Sequence, residues 1–252
     1  MKFGIYGCMA VLLPAIFFLS CGKDQPLTGT ASLTIVNAFA GDRFMVPVFK
    51  RADTLNANDG SFTVNYNDTT AANQFSAYSG KVPLSIFYAT DTAAKSVPLF
   101  ALTLDLALSS MHTLFLTGTK EQPDTLFTTD DPPYHPVSDS SVGIRFVNLS
   151  PGSAPMTVNM QGSAYGSEAT NLAYKGITAF KNYAANAGVN NYVFEFRDQA
   201  TGSLLGTSAL YDAGGITGSN GWRFRNYTIV IDGFPGVHSG PYAQAVFRTN
   251  NF

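Results

Sequence analysis

Gly143-Ile-Arg-Phe-Val-Asn-Leu149 decides how this chain is built, because Ser32-Leu-Thr-Ile-Val-Asn-Ala38 carries the same pattern 111 residues earlier. Both stretches alternate apolar residues with others and then read Val-Asn. A period of two places Leu33 and Ile35, and likewise Ile144 and Phe146, on one face of a half-buried β-strand. Three further matches follow in the same order. Thr63-Val-Asn65 matches Thr157-Val-Asn159, and Ala77-Tyr-Ser-Gly80 matches Ala173-Tyr-Lys-Gly176. His112-Thr-Leu-Phe-Leu-Thr-Gly118 matches Tyr227-Thr-Ile-Val-Ile-Asp-Gly233, and the three offsets are 94, 96 and 115 residues. Four ordered matches predict a tandem repeat.

Each copy reads as strands. Leu114 and Leu116, Tyr192, Phe194 and Phe196, and Tyr227, Ile229 and Ile231 also alternate. Short runs are broken by Asn58-Asp-Gly60, Tyr78-Ser-Gly80, Ala200-Thr-Gly202 and Ala213-Gly-Gly215. Six or seven short strands per copy predict an all-β chain of two tandem immunoglobulin-like antiparallel β-sandwich domains. The expected boundaries are a signal peptide over 1–20, a lipidated Cys and tether over 21–30, and sandwiches over 31–127 and 142–252. Between the sandwiches, 128–141 holds three prolines and three aspartates, the composition of a stiff, solvated linker.

Composition agrees. Of 252 residues, 13% are charged and 45% hydrophobic, with 33 aromatics. So many apolar side chains exclude a disordered chain. Glu occurs three times while Ser and Thr together number 44, which favours strands and turns over exposed helices. The net charge of −2 gives no cationic field for nucleic acid.

The N-terminus reads as a targeting segment. Gly4 to Leu19 is an apolar run, too short for a bilayer-spanning helix of about 20 residues. It ends in Phe18-Leu-Ser-Cys21, which resembles the bacterial lipoprotein signal. That pattern makes Cys21 the lipid attachment site, with acyl chains (palmitate among them) each contributing about 0.8 kcal/mol per buried methylene. Lys23-Asp24 is similar to the charged signal that sends lipoproteins of the Bacteroidetes to the cell exterior. Cys8 and Cys21 are the two cysteines, so the mature chain has no disulfide.

The second copy resembles the domain-of-unknown-function family 4397, on Gly143-Ile-Arg-Phe-Val-Asn-Leu-Ser-Pro-Gly152, Asn171-Leu-Ala-Tyr-Lys-Gly-Ile-Thr-Ala-Phe180, Tyr192-Val-Phe-Glu-Phe196 and Tyr227-Thr-Ile-Val-Ile-Asp-Gly233. The first copy departs, having Asn37-Ala-Phe-Ala-Gly41 without the Ser-Pro. The resemblance implies β-sandwich modules of secreted or lipid-anchored bacterial proteins and brings no activity with it.

Catalytic chemistry is hard to place. His112, His135 and His238 are scattered, and the expectation is no metal and no cofactor. Asn56-Ala-Asn-Asp-Gly60 and Asn65-Tyr-Asn-Asp68 are oxygen-rich, but position 66 is Tyr where an EF-hand needs Glu. No nucleophile elbow and no pair of facing carboxylates is evident, so no catalytic residue is assigned. Trp222, Tyr165, Tyr183, Tyr211 and Tyr242 are candidate rings for stacking on sugar, with Tyr78 and Tyr174 read as structural because they recur. Asp53-Thr54, Asp68-Thr69, Asp91-Thr92 and Asp124-Thr125, each followed by a small, aliphatic or Thr residue, resemble the O-glycosylation signal of exported Bacteroidetes proteins.

The resulting expectation is a non-catalytic, lipid-anchored cell-envelope protein, a binding or structural module at the outer membrane. It would be exposed at the cell surface, or alternatively face the periplasm. Its partners would be membrane lipid through Cys21 and a glycan or envelope protein. The alternatives are a carbohydrate-binding accessory lipoprotein of a glycan-uptake system and an adhesion or matrix component.

Overall fold

A computed structural model describes residues 29–41, 44–49, 62–67, 73–93, 96–186, 188, 191–215 and 221–251. The signal peptide, Cys21, Lys23, Asp24, Thr54 and Thr69 lie outside the described residues. So do Asn56 to Asp59 and Asp68 of the oxygen-rich stretches.

The chain is an all-β sandwich protein, and no α-helix occurs among the described residues. The first copy contains β1 (Thr30–Asn37), β2 (Phe44–Phe49), β3 (Val64–Asn65), β4 (Gln74–Tyr78), β5 (Gly80–Tyr88), β6 (Phe100–Leu106), β7 (Met111–Gly118) and β8 (Pro123–Asp130). The second contains β9 (Ser141–Asn148), β10 (Met156–Met160), β11 (Ala169–Leu172), β12 (Lys181–Ala184), β13 (Asn191–Asp198), β14 (Leu204–Tyr211), β15 (Arg225–Asp232) and β16 (Ala245–Asn251). Sheet orders β4-β1-β7-β8 and β3-β2-β5-β6 recur as β12-β9-β15-β16 and β11-β10-β13-β14. The repeat is therefore a repeat of topology.

Two of the four sequence matches join equivalent strands, β1 with β9 and β7 with β15. The other two do not. Val64-Asn65 forms β3 whereas Thr157 to Asn159 lie in β10, and Ala77-Tyr78 ends β4 whereas Ala173 to Gly176 connect β11 to β12. Their offsets of 94 and 96 already stood apart from 111 and 115.

The shared Val-Asn has a physical use. Asn37 Oδ1 accepts from the Phe39 backbone N–H (3.1 Å) and its Nδ2 donates to the Val64 carbonyl (3.4 Å). Asn148 does the same with the Ser150 N–H (3.0 Å) and the Leu172 carbonyl (3.1 Å). Each buried amide closes the turn after its strand and ties one sheet of the sandwich to the other.

The alternating residues fill two cores. Leu33, Ile35, Leu114 and Leu116 pack with Leu84, Ile86 and Phe39 in the first. Ile144, Phe146, Ile229 and Ile231 pack with Phe194 and Phe196 in the second. Phe146 meets Phe194 and Phe196 edge-on at 5.1 and 6.0 Å, contacts that add about 0.5–1.5 kcal/mol each beyond area burial.

The structure adds three details to the expected sandwiches. β1 pairs with β7, and β9 with β15, in parallel, so the sheets are not purely antiparallel. Each such pair joins the first and seventh strands of a copy, whose long separation permits a parallel crossover. Within the expected linker 128–141, β8 runs to Asp130 and β9 begins at Ser141. And β1, β7, β9 and β15 are buried on both faces, not half-buried. Val36, Ala38 and Phe115 of the first copy pack against Val147, Leu149, Val230 and Phe247 of the second. The two sandwiches thus dock sheet to sheet along an apolar seam.

One end of the seam is polar. The Arg145 guanidinium donates to Asp130 Oδ1 at 2.7 Å, to Thr228 Oγ1 at 2.7 Å and to Thr113 Oγ1 at 3.3 Å, and lies over the Phe180 ring at 4.6 Å. Asp130 also accepts from the hydroxyls of Thr113 and Thr128. Its side chain is 2% exposed and that of Arg145 is 5%, so this ion pair is fully withdrawn from water.

Candidate functional site

At the other end of the seam, loops from both copies leave a cleft of about 620 Å³. The first copy contributes the β7–β8 turn, Gly118, Thr119, Gln122, Pro123 and Asp124. The second contributes Pro151, Gly152, Tyr174, Phe234 and Pro235.

Local chemistry fixes each wall. Gly118 has φ +85°, and a Cβ there would sit 2.3 Å from the Gln122 carbonyl oxygen, so only Gly allows this turn. Thr119 and Gln122 close it with reciprocal backbone bonds of 3.0 and 3.1 Å. Opposite, Ser150 Oγ donates to the Gly233 carbonyl (2.6 Å) and accepts from Gln244 Nε2 (3.0 Å), which holds the Pro151-Gly152 turn against the Phe234 loop. Thr117 Oγ1 donates across the seam to the Leu149 carbonyl at 2.9 Å.

Tyr174 and Lys175 reach the cleft from the β11–β12 connection. Lys175 has φ +63°, a left-handed conformation that non-glycine residues adopt at a cost of about 1 kcal/mol or more. Its N–H donates to the Asn148 carbonyl (2.7 Å), and its Nζ reaches Asp124 Oδ1 at 2.8 Å. The Tyr174 hydroxyl lies 3.3 Å from Asp124 Oδ2. Burial alone would raise the Asp124 pKa. Lys175, the Thr125 N–H and the Tyr174 hydroxyl outweigh that and hold the carboxyl below the usual carboxylate range. Burial, conversely, raises the Tyr174 phenol. The cleft therefore presents apolar rings and prolines beside one carboxylate that is already engaged on both oxygens. That arrangement suits stacking and hydrogen bonding. It does not provide the two facing carboxyls, about 5–9 Å apart, that glycoside hydrolysis uses.

The proposed stacking rings are dispersed. Tyr183 is buried in the second core with its hydroxyl on Glu168. Trp222 meets Tyr227 edge-on at 5.3 Å, lies under Arg248 at 4.5 Å and donates its Nε1–H to the Tyr211 carbonyl. Tyr165 is half-exposed and hydrogen-bonds the Asp198 and Gln199 carbonyls. Tyr211 is exposed at the end of β14. Tyr242 alone lies near the cleft, 5.8 Å from the Phe234 ring. Tyr174 and Phe234, the rings that do line it, were not among the candidates. Tyr174 was set aside because its motif recurs, and Phe234 sits in Gly233-Phe-Pro-Gly236, where an aromatic among turn residues was the available signal.

Of the Asp-Thr sites, Thr92 is half-buried in the turn after β5, and Thr125 lies within β8 with its N–H on Asp124.

His135 has more partners than its linker position suggested. Its Nδ1 faces both Asp139 Oδ2 (3.2 Å) and Ser141 Oγ (3.0 Å), and its Nε2 faces Asn226 Oδ1 (3.0 Å). A catalytic serine triad places Ser and Asp on opposite ring nitrogens. Here both share one, so the cluster pins the inter-sandwich loop to β15. His112 is buried, stacked on Phe127 at 5.1 Å, and His238 is exposed. Among the described residues no three His, Cys, Asp or Glu side chains are placed to hold a metal.

No family model matches this chain, and no curated protein does. Among solved structures, the chain is similar to an α-glucan-binding streptococcal virulence factor at 9% identity and TM-score 0.26, over 87% of this chain and 96% of that one. It is also similar to a Bacteroides thetaiotaomicron DUF1812 protein with a polysaccharide-binding assignment. There the identity is 8% and the TM-score 0.22, over 82% and 92%. At such scores no residue role passes from either protein to this chain.

Proposed function

We propose that this chain is a non-catalytic glycan-binding module of the bacterial cell envelope, held to the outer membrane through lipid on Cys21 and facing the cell exterior. Membership of the domain-of-unknown-function family 4397 belongs to the same proposal. The observation that carries the ligand reading is the composite cleft. Sugars offer apolar C–H faces and hydroxyl edges; Tyr174, Phe234 and three prolines match the faces, while Thr119, Gln122 and Asp124 match the edges. Its volume is within the range of about 300–1,000 Å³ that small-ligand sites occupy. Because Asp124 is neutralised by Lys175, the cleft favours uncharged saccharides over anionic ones.

Affinity electrophoresis through gels containing neutral polysaccharides tests this. At least one should retard the wild type. Tyr174→Ala and Phe234→Ala should each weaken retention by about 10- to 100-fold, the worth of one stacked ring, while Tyr174→Phe keeps most of it. Absence of retention by any polysaccharide, or retention unchanged in the Ala variants, rejects the cleft as a glycan site.

Protease shaving of intact cells tests the location. Wild type should be cleaved, and Cys21→Ala should be lost from the membrane. Protection of membrane-bound wild type would place the module on the periplasmic side.

A further inference from the structure

Beside the cleft, the docking seam ends on a buried carboxyl group that no described cation faces. Asp232 is the last residue of β15, on the same face as Thr228 and Val230, and is fully buried. Neither carboxyl oxygen has a hydrogen-bond partner. Other buried polar groups toward this end of the two sandwiches bond elsewhere: Thr117 Oγ1 to the Leu149 carbonyl, Ser150 Oγ to the Gly233 carbonyl, and Asn37 to Phe39 and Val64. From the first sandwich the Tyr66 hydroxyl faces the carboxyl, and together with the Asp232 backbone N–H it opposes the effect of burial without reversing it; Asn67 Oδ1 is also buried without a partner. No described Lys, Arg or His exerts a charge on Asp232. An ionised carboxylate in such a place has neither water nor a counter-charge, so the neutral acid is the stable form.

We propose that Asp232 is a proton-operated latch: the two sandwiches dock with its carboxyl neutral, and raising the pH loosens the seam at the cleft end. Burial pushes the group up to about 8 from its ordinary 3.8. The docked state therefore binds a proton that the undocked state has released. Over this interval the docking constant falls by up to tenfold per pH unit as pH rises, and it levels off above the docked-state value. The effect reaches the cleft by chain continuity. β15 passes through Asp232 and Gly233 into Phe234-Pro235, which form a wall of the second copy, and the facing wall is the Gly118–Asp124 turn of the first. Loosening the seam parts these walls. The latch operates whatever the cleft binds.

The test places spin labels at Thr103→Cys in β6 and Thr207→Cys in β14, exposed positions on the two outer sheets. The full chain is used in detergent, with Cys8 and Cys21 changed to Ser. One narrow distance distribution is expected at pH 6, and a broader one with a longer component at pH 9. Asp232→Asn, which cannot ionise, should stay narrow at both. A wild-type distribution unchanged between the two pH values, or equal broadening in the Asn variant, overturns the latch. Infrared titration of the wild type decides the matter if the Asn variant does not fold. The C=O band of a buried protonated carboxyl should persist through pH 7, and a band lost below pH 6 overturns the proposal.

Discussion

Arg145→Met is expected to destabilise the protein by about 3–5 kcal/mol, read as a fall in the urea midpoint at unchanged slope. The methionine fills much of the same volume and removes the charge that Asp130 faces at 2.7 Å. Asp130 would keep the Thr113 and Thr128 hydroxyls, but a carboxylate 2% exposed needs more than two neutral donors. Thr228 and Thr113 would lose their guanidinium partner as well. The companion variant makes the prediction specific. Adding Asp130→Leu should recover part of the loss, because it removes the stranded charge along with its partner. Loss of less than 1 kcal/mol in the single variant, or a further loss in the double, would show that the pair does not hold the polar end of the seam.

The second large effect is a stability curve that declines with pH across the neutral range. The folded pKa of Asp232 is about 8 against 3.8 for the ordinary carboxyl. Folded protein therefore retains a proton that unfolded chain releases. Stability from this group is fully present below about pH 4, falls by roughly 1.4 kcal/mol per pH unit above it, and levels off beyond pH 8, a total of roughly 6 kcal/mol at most. Asp124 acts with the opposite sign. Its depressed carboxyl contributes above its unfolded value and is lost as pH falls below about 4. Maximal stability is thus expected near pH 4–5. Denaturant titrations at pH 5, 6.5 and 8 should show the decline for wild type and a flatter line for Asp232→Asn, with the Asn variant more stable at pH 8 by about 2–4 kcal/mol. A wild-type curve flat from pH 5 to 8 would contradict the assignment.

The inner faces of the strands were legible because period two leaves little choice for Leu33, Ile35, Ile144 and Phe146. The outer faces were less so. Reading Thr34, Thr113, Arg145 and Thr228 as solvent-facing follows from their polarity, yet all four are buried in the seam. The signal against that reading was present in Leu114-Phe-Leu116 and Ile229-Val-Ile231, continuous apolar runs of the kind found in strands covered on both sides. Parallel pairing left no local mark, since no turn joins β1 to β7.

The cleft was visible only in pieces. Ser150-Pro-Gly152 distinguished the second copy from the first, and those residues do form a wall. Asp124 stood out only as half of an Asp-Thr pair. Its counterpart Lys175 is 51 residues away in sequence, and only tertiary packing joins them.

The docked sheets also set a timetable for synthesis. The first sandwich is complete once Asp130 has emerged, but the surface that covers Val36, Ala38 and Phe115 ends with Phe247 and Asn251. At about 5–20 residues per second, that apolar back stays open for roughly 6–24 s in every newly made chain. Through that interval two nascent chains can dock first copy to first copy. Once the second copy is made, the short span between Asp130 and Ser141 holds it beside that surface at a high effective concentration, which favours it over a neighbour.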